Sequence, residues 1–258
     1  MPPHNLAIAI LAAGKGKRMN NPNLPKVLTL LNGKPLLEYV LETSISIKPK
    51  IIIVIIGHQA NKVIEFLCNF EKHLNSFSLE YVLQKEQLGT GHAILQTEDA
   101  LSGFSGDLLI LSGDVPLLSY KILQEFIDLH FKKNIDVSVL SAYAPSPTNY
   151  GRIVRDENGI FLRIVEEKDA NEYEKGINEI NSGVYLIKKD ILFDALKEIH
   201  NNNAQGEYYL TDVIEILKNK NYKVEANALA EFNEIQGVNS IDDLKLLQNT
   251  INYSKIND

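Results

Sequence analysis

The sequence predicts a doubly wound α/β fold on a mostly parallel, mixed sheet of Rossmann-like type, and three observations predict it. Two runs, Ile51–Ile56 and Asp107–Ser112, are almost wholly aliphatic, the pattern of strands covered on both faces. Strand-like and helix-like stretches alternate through residue 144, as in βαβ units. The first strand, Leu6–Leu11, runs straight into a small-residue turn containing Gly14 and Gly16, where the backbone can pass close to a ligand. Right-handed crossovers place the loops after the first, third and fourth strands along one edge, the edge where such sheets bind ligands.

The elements follow in order. Pro35 opens a helix to about Ile47, with Leu36, Leu37, Val40 and Leu41 on one face. Lys50–Ile56 is a strand, and a helix follows Gly57-His58 to about Leu74. Leu79–Gln84 is a third strand, with a loop over 85–91 and a short helix over His92–Leu101. Asp107–Ser112 is the fourth strand, Ser119–Lys133 a helix and Asp136–Ala144 the fifth strand. Beyond it, Tyr150–Arg155 and Gly159–Glu166 read as strands joined by a turn at Asp156–Gly159. Asn181–Ile187 is a strand, Asp190–His200 a helix, Tyr209–Lys220 a helix, Tyr222–Leu229 a strand and Ile241–Ile251 a terminal helix. No internal repeat or linker divides the chain, so one sheet with an inserted lobe is expected.

Composition narrows the function. The chain has 258 residues, 45% hydrophobic and 23% charged, with net charge −7, which fits a globular protein and argues against a general nucleic-acid binder. Its one cysteine, Cys68, cannot form an intrachain disulfide and is expected to be a buried small hydrophobe. The start, Met1–Asn5, lacks signal-peptide features, and no aliphatic run approaches a membrane span. A cytoplasmic location is the expectation.

Four constellations carry candidate chemistry. The turn Leu11-Ala12-Ala13-Gly14-Lys15-Gly16-Lys17-Arg18-Met19, with Leu24-Pro25-Lys26-Val27 after it, is amide-rich and basic, suited to phosphate. It is neither a Walker A loop nor a dinucleotide fingerprint, since Gly-Lys-Ser/Thr is missing and Met19 replaces the third glycine. Arg18 can grip phosphate with a planar fork, and Lys26 adds a point charge. The second constellation is Gln84 to Ala93. Gln84 carries an acceptor and a donor suited to a base edge, and Gly89 and Gly91 would let the chain approach a flat ring. A simple turn with Thr90 as helix cap explains Gly-Thr-Gly equally well, and His92 just opens the helix. Third, Asp114 at the end of an aliphatic strand, beside Gly113, either holds Mg2+ with phosphates or closes a turn before Pro116. Fourth, Glu166, Asn181, Tyr209 and Thr211 are polar groups at the edges of apolar segments, able to read sugar hydroxyls or to serve as edge residues. There is no nucleophile elbow, no Cys/His metal spacing and no evident Ser/His/Asp arrangement.

In these segments the chain resembles the uridylyltransferase domain of the GlmU proteins, the N-acetylglucosamine-1-phosphate uridylyltransferases, from Leu6 to Asn239. The opening loop is shared by sugar nucleotidyltransferases at large. Gln-Leu-Gly-Thr-Gly-His-Ala at 87–93, Ile-Val-Glu-Glu-Lys-Asp-Ala at 164–170, Asn-Ala-Gln-Gly-Glu-Tyr-Tyr-Leu-Thr-Asp at 203–212 and Gly-Val-Asn at 237–239 are more specific. The resemblance implies a sugar-nucleotidyltransferase fold of the GT-A-like kind, with 1–240 the transferase domain and 241–258 a C-terminal helix. Within that domain 1–144 would be the nucleotide side and 145–240 the sugar side. It implies that Leu11, Ala12, Ala13, Gly14, Gln84, Gly89 and Thr90 hold the uridine part of UTP. Arg18 and Lys26 would neutralise phosphates, Asp114 and Asn239 bind Mg2+, and Gly151, Glu166, Asn181, Tyr209 and Thr211 bind N-acetylglucosamine 1-phosphate. Ser112 stands where some relatives carry a sugar-contacting tyrosine. The hexapeptide repeats of the relatives' acetyltransferase half do not occur in the 258 residues, so neither that activity nor its trimer is implied. Two rivals share the fold: transfer to another hexose 1-phosphate, and a non-catalytic sugar-nucleotide sensor.

Overall fold

The computed structural model describes residues 4–19, 23–72 and 79–257, without the side chains of Lys17 and of 252–257. In chain order its elements are β1 (Leu6–Ala12), β2 (Leu30–Leu31), β3 (Lys34–Pro35), α1 (Leu36–Ser46), β4 (Ile51–Ile56), α2 (Ala60–Glu71), β5 (Leu79–Leu83), α3 (Thr90–Leu95), β6 (Asp107–Ser112), α4 (Tyr120–Lys132) and β7 (Val137–Tyr143). There follow β8 (Arg152–Arg155), β9 (Phe161–Val165), α5 (Glu172–Lys175), β10 (Glu179–Lys188), α6 (Lys189–Leu196), α7 (Asp212–Asn219), β11 (Val224–Ala228), α8 (Phe232–Ile235) and α9 (Ile241–Asn257). The expected end of the second helix, 73–74, lies outside the described residues.

The main path of the sheet runs β11-β7-β10-β6-β1-β4-β5, with β8 and β9 branching from β10. β1 pairs in parallel with both β4 and β6, and β4 with β5. β10 is antiparallel to β6 and β7, while β11 is parallel to β7. Strands from both sides of position 145 therefore share one sheet.

Alternation along β1 shows why the sheet is doubly wound. Ile8 and Ile10 pack with Leu37, Leu41, Val63 and Phe126 on one face. Ala7 and Ala9 pack with Ile94, Leu192, Val213 and Leu217 on the other. A strand with helices on both faces must be apolar at every position.

The register sets the ligand edge. Ala12 pairs with Ile56, Ile56 with Leu83, and Leu11 with Ser112, so four strands end level. The loops beginning at Ala13, Gly57, Gln84 and Gly113 emerge side by side.

Several elements depart from expectation, each for a local reason. The helix foreseen over His92–Leu101 begins at Thr90 and gives way to turns after Leu95. The helix foreseen from Tyr209 begins at Asp212, because Leu210 donates its N–H to the Thr90 hydroxyl (3.0 Å) and Tyr208 pairs with Leu88 and Gly91. α6 ends at Leu196 rather than His200. α5 and α8 were not foreseen, being one turn each with no apolar period, though Asn171 and Glu174 form a capping box. Cys68 is exposed, not buried, on the outer side of α2. Among the described residues no helix is long and apolar enough to cross a membrane.

Candidate active site

The basic loop is folded by its own sequence. Gly16 has φ +57°, and a Cβ there would stand 2.7 Å from the Lys26 Cβ, so only glycine lets the two halves of the loop close on each other. Met19 donates its N–H to the Gly16 carbonyl (2.9 Å) and buries its side chain with Leu31, Leu36, Val238 and Leu247. The loop is thereby pinned to a segment more than 200 residues away in sequence.

That pinning assembles a cationic and oxygen-rich cluster. Lys26 Nζ donates to Asp114 Oδ2, and also to Asn239 Oδ1 at 3.0 Å. Arg18 donates to the same Asn239 oxygen at 3.2 Å. The Lys26 and Asp114 side chains are only 16% and 15% exposed, so their attraction is weakly screened. Arg18 is exposed, open to an incoming anion. Gly113 N–H bonds the Leu11 carbonyl (3.0 Å) and Val238 N–H the Asp114 carbonyl (2.9 Å).

This donor set fits Mg2+. Two hard oxygens, a carboxylate and a carboxamide, already converge on one cationic centre. Mg2+ takes one or two such protein ligands, with phosphate and water completing the shell. Among the described residues no group of three or more His, Cys, Asp or Glu forms a closed metal cage.

The neighbouring loop packs closely against the 199–210 segment. Gly89 has φ +116°, and a Cβ there would lie 2.5 Å from the Tyr208 carbonyl oxygen. At Gly91 it would lie 2.4 Å from Ile199 Cδ1. The Tyr208 backbone demands glycine at 89, and Gly91 packs against the tip of the Ile199 side chain. Thr90 does not cap its helix: Gly89 occupies the cap position, and the Thr90 hydroxyl accepts from Leu210. Gln84 is buried, and its amide nitrogen donates to the Gly89 carbonyl (3.0 Å) and meets His92 Nδ1 at 3.0 Å. His92 therefore orients Gln84 as well as sitting in the helix. By contrast, a Cβ on Gly14 would meet nothing within 4 Å among the described residues, so none of them fills the space there. Ala12 and Ala13 are buried beneath it, and Leu11 is half-buried.

The expected sugar-side residues fall into two groups. Asn181 sits at a bulge where β10 changes register against β7, with Gly183 at φ +77°, a device that re-aims side chains near sites. Its backbone N–H bonds the Gly151 carbonyl (2.9 Å), and its amide donates to the Tyr185 hydroxyl (2.6 Å). Glu166, Tyr209 and Thr211 instead line a cavity of about 420 Å3 together with Asp169 and Asp212. There Thr211 donates to Glu166 (3.1 Å), and Tyr209 donates to Asp169 (3.2 Å). Burial pushes the Glu166 carboxyl up, with Asp212, Asp169 and Glu207 adding repulsion against the Thr211 bond. Burial, Glu215 and Asp169 together raise Asp212 to about 6. Burial also carries Tyr185 well above the usual phenol range. The Tyr185 phenol, bonded to Asn181 and facing Glu166, links the two groups.

The comparisons with known proteins bear on this geometry. The nucleotidyl transferase family model matches residues 7–233. The chain belongs to the nucleotidyl transferase family. It is 47% identical to the bifunctional protein GlmU of Lactococcus lactis over 230 residues, 89% of this chain and 48% of that protein. It is 47% identical to the one from Streptococcus uberis over 235 residues, 91% of this chain and 49% of that protein. The chain thus spans about half the length of the curated relatives it matches. The fold is that of UDP-glucose pyrophosphorylase complexed with UDP-glucose, at TM-score 0.77 and 23% identity, covering 97% of this chain and 99% of that one.

For a family member, three positions escaped the sequence reading. Tyr150 lies against the Gly237 segment, and burial with Asp243 and Asp114 nearby raises it to about 12, opposed by the Gly237 N–H. Asp243 accepts from Asn239 N–H (2.9 Å) and Ser240 N–H (2.8 Å). Tyr185 is the link just described. The only prior signal was Ser240-x-x-Asp243 ahead of an apolar stretch, a capping signature. A Ser/His/Asp arrangement, not evident in sequence, also exists. His130 meets Ser138 Oγ (2.8 Å) and Asp107 Oδ1 (3.3 Å). All three are buried, at the opposite end of β6 from Asp114, so this chain ties α4 to the sheet and offers no nucleophile to substrate.

Proposed function

We propose that the chain transfers the uridylyl group of UTP to N-acetylglucosamine 1-phosphate, giving UDP-N-acetylglucosamine and pyrophosphate. The convergence of Lys26, Arg18, Asp114 and Asn239 at the carboxyl edge of the sheet supports this reading. Two polyanions must meet there, so the obstacles are repulsion and placement.

In this reading residues 1–144 carry the nucleotide and 145–240 the sugar, with Asn239 reaching back to the phosphates. The open space over Gly14 receives the nucleotide, above Leu11, Ala12 and Ala13. Gln84, its amide nitrogen held by Gly89 and His92, presents its carbonyl oxygen to the base, next to Gly89 and Thr90. Lys26 and Arg18 neutralise the phosphates as a phosphate oxygen of the sugar phosphate attacks the α-phosphorus in line with departing pyrophosphate. Asp114 and Asn239 would hold Mg2+, which when bound supplies further positive charge against the phosphates. Gly151 and Asn181 orient the sugar phosphate, and Glu166, Tyr209 and Thr211 its hydroxyls and amide. No covalent enzyme intermediate is required. The chain would work in the cytoplasm on small molecules, without nucleic acid or membrane.

The test is pyrophosphate release from UTP, with and without Mg2+. N-acetylglucosamine 1-phosphate, glucosamine 1-phosphate and glucose 1-phosphate are offered in parallel. Mg2+-dependent release with the N-acetylated sugar alone is expected. Release with glucose 1-phosphate alone would overturn the sugar assignment, and no release with any sugar would overturn the enzyme reading.

A further inference from the structure

Asn239 stands apart from the rest of the site. Asp114 follows a strand, Arg18 a tight glycine turn, and Lys26 opens a 3-10 turn after Pro25. Asn239 sits on an irregular segment, Gln236–Ser240, just before α9. A metal ligand on such a segment needs its backbone fixed by something else.

The structure supplies the fixing groups. Asp243 Oδ2 accepts from Asn239 N–H at 2.9 Å and from Ser240 N–H at 2.8 Å. Ser240 Oγ accepts in return from Asp243 N–H at 3.2 Å. This is a capping box extended by one residue: the usual box catches the cap amide, and here the preceding amide is caught too. One residue earlier, Val238 N–H is held by the Asp114 carbonyl at 2.9 Å. Three successive amides, 238 to 240, are thus tied either to the other proposed ligand or to Asp243. Behind them Val238 and Leu247 pack with Met19, Leu31 and Leu36, so α9 is seated against the basic loop itself.

We propose that Asp243 is a positioning residue of the metal site: its carboxylate fixes the Asn239 backbone so that Oδ1 faces Asp114 Oδ2. It touches neither phosphate nor metal and acts only through Asn239. This inference rests on the reading of Asp114 and Asn239 as the Mg2+ ligands. Asp242, its neighbour, is an internal control, because its side chain is 94% exposed and lies 3.8 Å from Lys245.

The test is Mn2+ titration of the whole, nucleotide-free chain, followed by solvent-proton relaxation, with thermal unfolding run beside it. Asp243→Ala is expected to weaken Mn2+ binding about tenfold, the range for removal of a group that orients a metal ligand. Asp243→Asn keeps an oxygen that accepts both amides and is expected to retain affinity within about twofold. Asp242→Ala is expected to leave affinity unchanged. Should Asp243→Ala fail to fold, Asp243→Ser carries the same test, since its shorter side chain cannot reach both amides. Wild-type Mn2+ affinity in Asp243→Ala, or in a folded Asp243→Ser, would overturn the proposal. Equal losses in Asp243→Asn and Asp243→Ala would overturn it too, by tracing the effect to charge. Asp114→Asn separates the two levels. If it leaves Mn2+ binding untouched, the metal reading itself falls; if it abolishes binding while Asp243→Ala keeps wild-type affinity, only the positioning role falls.

Discussion

The Lys26–Asp114 pair allows stability and chemistry to be separated in one set of variants. Both side chains are about five-sixths buried, and Lys26 also donates to Asn239. Replacing Lys26 by Met keeps the volume but leaves the Asp114 carboxylate without its ammonium. Removing one partner of a fully buried pair costs about 3–5 kcal/mol. Residual exposure and the nearby Arg18 reduce that, so a loss of about 2 kcal/mol is expected, or about 4–8 °C in a chain of this size. Asp114→Asn should cost a similar amount, now by stranding the ammonium. In the double variant neither charge remains, so its destabilisation should fall short of the sum by about 1–3 kcal/mol. Activity should behave differently. Each single variant is expected to lose about 10²–10³ in kcat, and the double variant should recover none of it, because the phosphates still lack their cation. Urea unfolding gives the stability cycle, and Mg2+-dependent pyrophosphate release gives the rates. Activity that recovers along with stability in the double variant would refute the electrostatic role, showing that the pair only holds the loop in shape.

Other consequences can be checked singly. Gly89→Ala forces a Cβ to 2.5 Å from the Tyr208 carbonyl at φ +116° and should destabilise by about 2–4 kcal/mol. Gly14→Ala meets no atom of the described residues within 4 Å, so it should leave stability within about 0.5 kcal/mol while raising the KM for UTP. The folded chain raises Asp212 to about 6 from 3.8, so between those values it binds more protons than the unfolded chain. Stability should then fall as pH rises from about 4 through about 6, with a smaller contribution of the same sign from Glu166. Asp212→Asn should flatten that slope in a series of melting temperatures and raise stability above pH 6. Gln84→Ala should blunt discrimination between UTP and CTP; an unchanged ratio would remove Gln84 from base reading.

Much of this molecule is legible in its sequence because the signals are local. The aliphatic runs at Ile51–Ile56 and Asp107–Ser112 specify strands buried on both faces, and their alternation with helices specifies the parallel, doubly wound order. The glycines and cations of residues 14–26 mark a candidate anion loop in the sequence itself. Asp114 is marked in the same way by its place after an aliphatic strand. Motif resemblance named Asn239, Glu166 and Thr211 as site residues, yet it said nothing of what holds each one.

Tertiary structure alone decided the partnerships, because they depend on which distant segments the sheet order brings together. Sequence shows Gly89 as a permissive residue; only the fold shows that the Tyr208 backbone fills the space beside it. Asp212 rises through burial first, then through Glu215 one turn along α7 and Asp169 in the loop after β9; the burial, the cavity of about 420 Å3 and the approach of Asp169 depend on how β9 and α7 pack. Ser138, His130 and Asp107 meet because β6, α4 and β7 pack together, and their burial makes the trio structural. Asn239 meets Lys26 beside Asp114 because α9 docks on Met19, the residue after Arg18. Periodicity and turn chemistry act over a few residues and can be read directly. Contacts across 100 to 200 residues depend on chain topology, and it is these that turn a basic loop and an aspartate into one site.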